Sequence, residues 1–271
     1  MSVVAISETA GSLGTEIGRQ LAETLGWSFA DREIIAKAAE RSGADVAEVR
    51  HGVEEKPSLW ERLTDSQQRY RVFVEATVFE LAYRDNVVLS GLASTLVLRD
   101  VRHVLRARTN ASEQERARRL EHGEGLTAEA ALNVVRHSDR ERAARVKFLY
   151  HVDVDDPLLY DLVINTDRIS VERGVRLLRD VVQEERFRST AASLADLKDR
   201  NVVIQAKALF LTNPVLNGTW LTVACRGGQA SVSGIVRSPE ARRTAEEILR
   251  SVPGVVQVAN EVAVSQTAMR L

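Results

Sequence analysis

A loop of small residues follows the first apolar segment of the chain and has the composition of a phosphate site. Its candidate nucleotide-binding residues are Gly11, Ser12, Gly14 and Thr15. Glycines let a backbone approach a phosphate closely, and the N–H groups at the start of a following helix attract its negative charge. Phosphate loops of ATP-binding proteins also carry a lysine beside a Ser or Thr. Because this loop has no lysine, it can be interpreted as a phosphate loop or as an ordinary turn between a strand and a helix.

The segments around this loop predict the elements that would position it. Residues 3–6 form an apolar run of the length of a buried strand, and residues 15–25 carry apolar side chains at helical spacing. Further apolar strands are expected at 86–90, 101–107 and 162–165, with amphipathic helices between them. This alternation predicts an α/β fold with a parallel sheet and helices on both faces.

Two groups of charged residues have the chemistry to act on a phosphorylated ligand. Asp31 and Arg32 stand where a second helix is expected to begin, and Asp139 and Arg142 lie in a helix predicted within residues 127–150. The ordinary interpretation is a helix-start Asp with a solvated Arg, and an exposed, salt-bridged helix face. The alternative is phosphate binding, because phosphoryl transfer needs cations around the transferred group.

The pattern of the chain changes near residue 183. Residues 183–199 have few large apolar side chains and several charges, and they are predicted to be a partly helical linker between a first domain, 1–182, and a second, 200–271. In the second domain, a helix at 201–211 precedes two alternating strands around Gly227 and Gly228, which is a hairpin signal. A helix and a last strand follow, so a compact α+β module of order αββαβ is expected.

Composition narrows the classes of function. The net charge of -1 gives no basic field that would indicate nucleic-acid binding. A single cysteine, Cys225, excludes an intramolecular disulfide and is typical of a reducing compartment. The sequence has no apolar run of ~18 residues, so no transmembrane helix is expected. A first strand close to Met1 leaves no room for a signal peptide, and a cytoplasmic protein is expected. The cysteine and the histidines show no metal-ligand spacing.

Five segments in sequence order resemble the cytidylate kinase-like family of P-loop nucleoside monophosphate kinases. They cover residues 6–26, 27–35, 107–120, 138–145 and 161–170, and the resemblance extends over about 1–182. It implies ATP and Mg²⁺ as the phosphoryl donor and its metal, and a nucleoside monophosphate such as CMP as the acceptor. The third segment contains Arg116 and Arg119, which are expected at the surface.

The resemblance also implies roles for the charged residues. Asp31 and Arg32 match a turn that contacts the acceptor nucleotide, and Asp139 and Arg142 match catalytic residues of the lid that closes over the phosphates. Arg142 is the strongest single candidate, since a cation is what the transferred phosphoryl group requires.

Departures from the family pattern put the activity in question. Gly14 stands at the lysine position of the phosphate loop, and Glu16 at its Ser/Thr position. Leu92 replaces an arginine that follows the third core strand in the family. Two hypotheses follow, an active nucleoside monophosphate kinase and a catalytically inactive sensor or scaffold. If the loop is a degenerate phosphate loop, Gly14→Lys with Leu92→Arg should raise ATP affinity.

The C-terminal module resembles a BON domain. The matching residues are 221–236, with the glycine pair in the hairpin, and 253–264 after the helix. The resemblance implies a binding module whose partner is another protein or a lipid surface, and it leaves the oligomeric state open.

Overall fold

The computed structural model describes residues 2–42, 60–84, 86–91 and 94–265. The chain divides into two compact units, Met1–Ser189 and Thr190–Leu271. Each unit has its own sheet and its own hydrophobic core.

The first unit is built on a parallel sheet of five strands in the order β2-β3-β1-β4-β5. Strand β1 is central and is paired in register with both neighbours, so that Val3 lies opposite Val87 and Val104. The strands are β1 Val3–Glu8, β2 Ser28–Ala30, β3 Val87–Ser90, β4 Val104–Asn110 and β5 Leu162–Asn165. The predicted parallel α/β sheet is confirmed.

Helices follow or connect the strands of this sheet. They are α1 Gly14–Leu25, α2 Arg32–Ser42, α3 Trp60–Tyr83, α4 Ser94–Val97, α5 Glu113–Glu124, α6 Ala128–Tyr150 and α7 Val171–Val182. Ser112 and Thr127 cap α5 and α6 by accepting backbone N–H groups of the first turns.

The core of the first unit lies between the sheet and helices α1 and α7. Val4 and Ile6 of β1 pack there against Ile17 and Leu178, all of them completely buried. Val3 and Ala5 alternate with them and are equally buried. Successive side chains of a strand point to opposite faces, so both faces of β1 are covered. Fully burying one such aliphatic side chain stabilises the fold by roughly 1.5–3 kcal/mol.

The second unit has the predicted αββαβ order. Its elements are α8 Ala191–Thr212, β6 Trp220–Arg226, β7 Gln229–Val236, α9 Pro239–Ser251 and β8 Gln257–Val264. Strands β6 and β7 are antiparallel, and β7 and β8 are parallel. Gly227 and Gly228 both have positive φ, 59° and 79°, which a two-residue hairpin turn of this twist requires.

The segment predicted to be a partly helical linker, 183–199, contains a longer stretch of helix than the sequence indicated. Its last nine residues are the start of α8, which begins ten residues before the predicted helix at 201. A capping box of Thr190 and Ser193 starts the helix there. Leu197 is buried, so the few apolar residues of this segment are sufficient to pack its helix. A single turn of 3-10 helix, Glu185–Phe187, precedes it.

Candidate functional site

The loop between β1 and α1 is shaped by the hydroxyl of Ser12. This side chain is completely buried, accepts the backbone N–H of Thr9 at 3.1 Å and shares a hydrogen bond of 3.0 Å with Thr109 Oγ1 of β4. Leu13 ends the loop with a φ of 63°, and α1 begins at Gly14. The Ser12 hydroxyl, proposed from sequence to bind nucleotide, is engaged in holding the loop to β4.

The two glycines of the loop lie where no side chain fits. A Cβ on Gly11 would lie 2.7 Å from the backbone oxygen of Arg116, and Gly11 has a φ of 76°. A Cβ on Gly14 would lie 2.4 Å from Thr109 Oγ1 and 2.6 Å from Glu8 Oε2. A lysine at position 14 would require Thr109 or Glu8 to move, which opposes the expectation that Gly14→Lys raises ATP affinity. Leu92, the other position of that double change, lies outside the described residues.

A carboxylate of the protein itself is bound at the start of α1. Glu8, the last residue of β1, accepts the backbone N–H of Thr15 at 2.7 Å through Oε2 and the Thr15 hydroxyl at 2.6 Å through Oε1. Ser90 Oγ donates to Oε1 at 3.4 Å. Sequence reasoning missed Glu8, although an acidic residue at the junction of strand and loop was the available signal.

Two arginines of α5 hold the other side of the loop. Arg116 donates to the carbonyl of Ala10 at 3.3 Å, and Arg119 donates to the carbonyl of Gly11 at 3.0 Å. Arg116 is 4% exposed, so the expectation that both residues lie at the surface is wrong. Strands β1 and β4 are neighbours, and the helix that follows β4 therefore packs against the loop that follows β1. The spacing of three residues places both side chains on one face of the helix.

Asp139 of α6 pairs with Arg116 rather than standing alone. Its two oxygens accept the two terminal nitrogens of Arg116 at 3.0 and 2.6 Å. The same guanidinium donates to the carbonyl of Ala111 through Nε, at 3.0 Å. Asp139 thus acts on the loop through Arg116, which contacts the loop backbone directly.

Arg142, one helical turn further along α6, is partly buried against strand β1. It donates to Ser7 Oγ at 2.6 Å. Burial, and then the positive charge of Arg108, lower the pKa of the Arg142 guanidinium to about 10. Arg108 is 5% exposed and donates to Tyr160 Oη at 3.0 Å and to Asp155 at 2.6 Å. Sequence reasoning missed Arg108, because a single arginine within a strand carries no recognisable spacing.

These side chains line a cavity of about 400 Å³ next to the loop. Its wall combines three arginines, from β4, α5 and α6, with polar groups of the loop and of β4: Arg108, Arg116, Arg142, Thr9 and Asn110. Pockets of a few hundred Å³ with convergent polar groups are the usual form of small-molecule sites. The carboxylates of Glu113, Asp139 and Asp155 line the cavity as well, and Asp155 pairs with Arg108 and Asp139 with Arg116. Arg142 is therefore the arginine of this wall that is available to an anionic ligand such as a phosphate.

The residues predicted to bind the acceptor lie at a different strand. Asp31 follows β2 and is partly buried; a Cβ on Gly91, after β3, would lie 3.7 Å from Asp31 Oδ1. Arg32 is the first residue of α2, and its side chain is outside the described part of the structure. The structure thus brings Asp139 and Arg142 to the same cavity and places Asp31 beside the end of β3.

The loop does not fit the phosphates of Mg-ATP as it stands. A phosphate at the start of α1 would need the Thr15 N–H that Glu8 accepts, and Mg²⁺ would need a hydroxyl such as that of Thr15, which also donates to Glu8. Within the described residues, no three His, Cys, Asp or Glu side chains are grouped so that they could hold a metal ion.

Comparison with known proteins relates this geometry to a family. The sequence profile of the cytidylate kinase-like family matches residues 3–168, which is more than half of the chain. The protein belongs to the cytidylate kinase-like family. The cytidylate kinase of Pyrobaculum calidifontis is 28% identical over 183 residues, which are 67% of this chain and 93% of that protein. The cytidylate kinase of Methanopyrus kandleri is 29% identical over 189 residues, with 66% and 92% covered.

A solved structure supports the fold of this cytidylate kinase-like unit. An uncharacterized protein from Eubacterium ventriosum aligns with a TM-score of 0.53 and 17% identity over 67% of this chain and 97% of its own. The profile of the BON domain matches residues 199–266 of the second unit, as expected from its hairpin and last strand. Among the described residues, no helix has both the length and the apolar character needed to cross a bilayer.

Proposed function

We propose that the cytidylate kinase-like unit binds a nucleoside monophosphate, with CMP as the first candidate, and that the arginine-lined cavity holds its phosphate. The observation that carries this proposal is the set of charges and hydrogen bonds around the Arg142 guanidinium. Among the described residues no carboxylate lies within ion-pair distance of its guanidinium, and the hydrogen bond it makes goes to the neutral Ser7 hydroxyl. Its neighbour Arg108 repels it and contributes to its lowered pKa.

A partly buried cation next to another cation is costly unless an anion accompanies it. The charges of Glu8 and Asp139 offset part of this cost, but the pKa of Arg142 stays lowered. A phosphate in the cavity would accept hydrogen bonds from Arg142 and neutralise part of its charge. Arg116 lines the same cavity, and Asp139 keeps its guanidinium in place through two hydrogen bonds. In this proposal Arg142 binds the phosphate, whereas Asp139 is a positioning residue.

The choice of CMP rests on the relatives, which are named cytidylate kinases and are covered over more than nine-tenths of their length. The same names favour a second candidate function, phosphoryl transfer from ATP to CMP. The carboxylate of Glu8 in the loop opposes that candidate, since it occupies donors that a phosphoryl donor would need. Binding without efficient transfer is therefore the first candidate, and Asp31 and Arg32 stay candidates for contacting the acceptor nucleotide.

We infer that the BON unit contributes binding to a protein or a lipid surface. On the solvent-facing side of its sheet, Trp220 is 84% exposed and lies opposite Ile235, which is 49% exposed. Exposed apolar side chains that are neighbours in a sheet support an interaction role. The activity of the whole protein would then combine nucleotide binding in one unit with partner binding in the other.

Calorimetric titration of the full-length protein with CMP tests the first proposal. Arg142→Gln removes the guanidinium and keeps much of the side-chain volume. A charge-assisted hydrogen bond contributes about 1.5–3 kcal/mol, so a loss of affinity of at least about tenfold is expected. Arg140→Gln is the matched control, because Arg140 is exposed on the same helix and does not line the cavity.

The control variant should bind CMP as the wild type does. Absence of CMP binding by the folded wild type would contradict the proposal, as would equal affinities of the Arg142 variant and the wild type. A coupled assay for nucleotide diphosphate formation from CMP and Mg-ATP decides between binding alone and phosphoryl transfer.

A further inference from the structure

We propose that Glu8 is a specificity-determining residue, whose carboxylate occupies the phosphate position of the loop and makes the site select nucleoside monophosphates over nucleoside triphosphates. The inference rests on the proposed function, because it assumes that the arginine-lined cavity accepts one phosphate. It adds that the loop next to that cavity is filled by the protein's own anion.

The contacts of Glu8 are those that a phosphate oxygen would make. Its oxygens accept a backbone N–H and a hydroxyl of the second helical residue, Thr15, at 2.7 and 2.6 Å. N–H groups in the first turn of a helix, together with the helix dipole, are the donors of phosphate loops. The carboxylate lies so close to the helix that a Cβ on Gly14 would be 2.6 Å from Oε2.

Strand β1 separates this position from the arginine-lined cavity. Ser7 and Glu8 are its last two residues, and successive side chains of a strand point to opposite faces. Ser7 Oγ accepts from Arg142 and donates to Tyr160, on the side of the cavity. Glu8 instead reaches the start of α1. One phosphate can therefore enter the cavity while Glu8 stays in place.

A triphosphate that binds the loop must compete with Glu8 for its hydrogen-bond donors, whereas a monophosphate in the cavity need not. To reach the Thr15 N–H, a triphosphate must displace the Glu8 carboxylate. Because Glu8 belongs to the central strand, its effective concentration at the start of α1 is high. If Glu8 remains nearby, its charge repels the phosphates, and the loop contains no lysine to offset that repulsion. Both effects lower the affinity for ATP, whereas Glu8 acts on the cavity through its charge, which favours the protonated form of Arg142.

The test compares the affinities of the full-length protein for ATP, with and without Mg²⁺, and for CMP by calorimetric titration. Glu8→Gln keeps the shape of the side chain and removes its charge. The expected result is an increase of at least tenfold in the ratio of ATP affinity to CMP affinity. Glu16→Gln is the matched control, because Glu16 is exposed in the first turn of α1 and accepts a hydrogen bond from Gln20. This substitution removes one negative charge, as Glu8→Gln does, but it leaves the contacts of Glu8 with Thr15 intact. A change of less than threefold is expected for it.

Several results would overturn the inference. An unchanged ratio in Glu8→Gln would do so, and so would equal gains in both variants, which would indicate charge at a distance. A loss of affinity for Mg-ATP that is absent without Mg²⁺ would show that Glu8 serves the metal instead. If CMP binds but the ratio of ATP affinity to CMP affinity is unchanged in Glu8→Gln, the inference about Glu8 fails while the proposed function is still supported. A gain of ATP binding without CMP binding in any variant supports the role of Glu8 and refutes the monophosphate proposal.

A second measurement on the wild type keeps the inference testable if Glu8→Gln does not fold. The backbone amide resonance of Thr15 should keep its position when CMP saturates the protein, because Glu8 remains bound. Saturation with ATP should move that resonance only at concentrations well above those needed for CMP. Movement of the Thr15 resonance at equally low ATP concentrations would refute the inference.

Discussion

Arg116 and Asp139 join helices α5 and α6 through two hydrogen bonds of 3.0 and 2.6 Å between the guanidinium and the carboxylate. The arginine side chain is 4% exposed and also donates to the carbonyls of Ala10 and Ala111. The pair therefore connects helix α6, through Arg116 of α5, to the loop after β1. Its removal would leave a buried guanidinium without its counter-charge.

Asp139→Asn should destabilise the first unit by about 2 kcal/mol, because one amide oxygen replaces two charged acceptors. Urea unfolding of the full-length protein, followed by fluorescence, measures this change. Arg136→Gln is the control, since Glu113 and Arg136 connect the same two helices but are half-exposed. Such pairs contribute at most about 1 kcal/mol. Equal effects of the two variants would show that burial of Arg116 does not determine the energy.

The affinity for a monophosphate should depend on pH through Arg142. Its pKa is lowered to about 10 by burial and by Arg108, while Tyr160, Glu8 and Asp139 act in the opposite direction. Phosphate binding needs the charged guanidinium, so the affinity should be steady between about pH 7 and 9 and fall as pH rises through about 10. An ordinary arginine would stay charged beyond pH 12. Calorimetric titration of CMP from pH 8 to 10.5 measures it, and a flat profile would refute the role of Arg142.

The same shift affects the stability of the fold. The folded state has the lower pKa, so above about pH 10 the unfolded state binds the proton that the native state releases. The unfavourable contribution of the buried charge is present below pH 10 and is relieved as pH rises. Replacing Arg142 by Gln should remove this dependence.

Gly14→Ala should destabilise the first unit by about 1–3 kcal/mol, because its Cβ would meet Thr109 Oγ1 and Glu8 at less than 3 Å. Gly123→Ala is a matched control in a helix, since nothing lies within 4 Å of its added Cβ. That change should stabilise the protein by about 0.5–1 kcal/mol. Thermal unfolding compares the two variants, and a neutral Gly14→Ala would show that the loop can move away from β4.

Asp199 should stabilise the BON unit through the hairpin turn. Its carboxylate accepts the backbone N–H groups of Gly227 at 2.6 Å and Gly228 at 3.1 Å. Burial alone would raise the pKa of Asp199, but these two donors, together with the Cys225 thiol and the charge of Lys198, outweigh it and lower the pKa below its ordinary value of 3.8. Its contribution is therefore present at neutral pH and lost as pH falls below about 4.

Asp199→Asn should cost the second unit about 1–2 kcal/mol at pH 7, because an amide has one acceptor oxygen. Asp196→Asn is the control, since Asp196 forms an exposed pair with Arg200 on the same helix. Urea unfolding at pH 7 and pH 3 should show a difference between the two variants that shrinks at the lower pH. A difference that persists at pH 3 would contradict the charge-based explanation.

The two units should separate under limited proteolysis. Arg188 is exposed and lies between the 3-10 turn at Glu185–Phe187 and the start of α8, so trypsin should cleave after it. A stable fragment beginning at Ser189 is expected, rather than one beginning within α8. A protein truncated after Ser189 should bind CMP as the full-length chain does. Degradation of both halves together would contradict this division.

Much of the fold is readable from local patterns in the sequence. Three signals are local in the sequence: the apolar run of β1, the helical spacing of α1 and the glycine pair of the hairpin. Each depends on residues that lie only a few positions apart. Periodicity and turn chemistry therefore predict them without knowledge of the rest of the chain. The start of α8 was predicted too late, because its first turns are stabilised by the Thr190 cap and the burial of Leu197 rather than by many apolar residues.

The electrostatics of the site depend on contacts between distant parts of the chain. Arg108 and Arg142 lie 34 residues apart in sequence and share a cavity because β4 is the neighbour of β1 in the sheet. Glu8 is close to Thr15 in sequence, yet only the direction of its side chain at the end of β1 decides that it binds the start of α1. Residue types indicated a phosphate loop without its lysine, whereas strand order and side-chain direction place an anion in that loop and three arginines beside it.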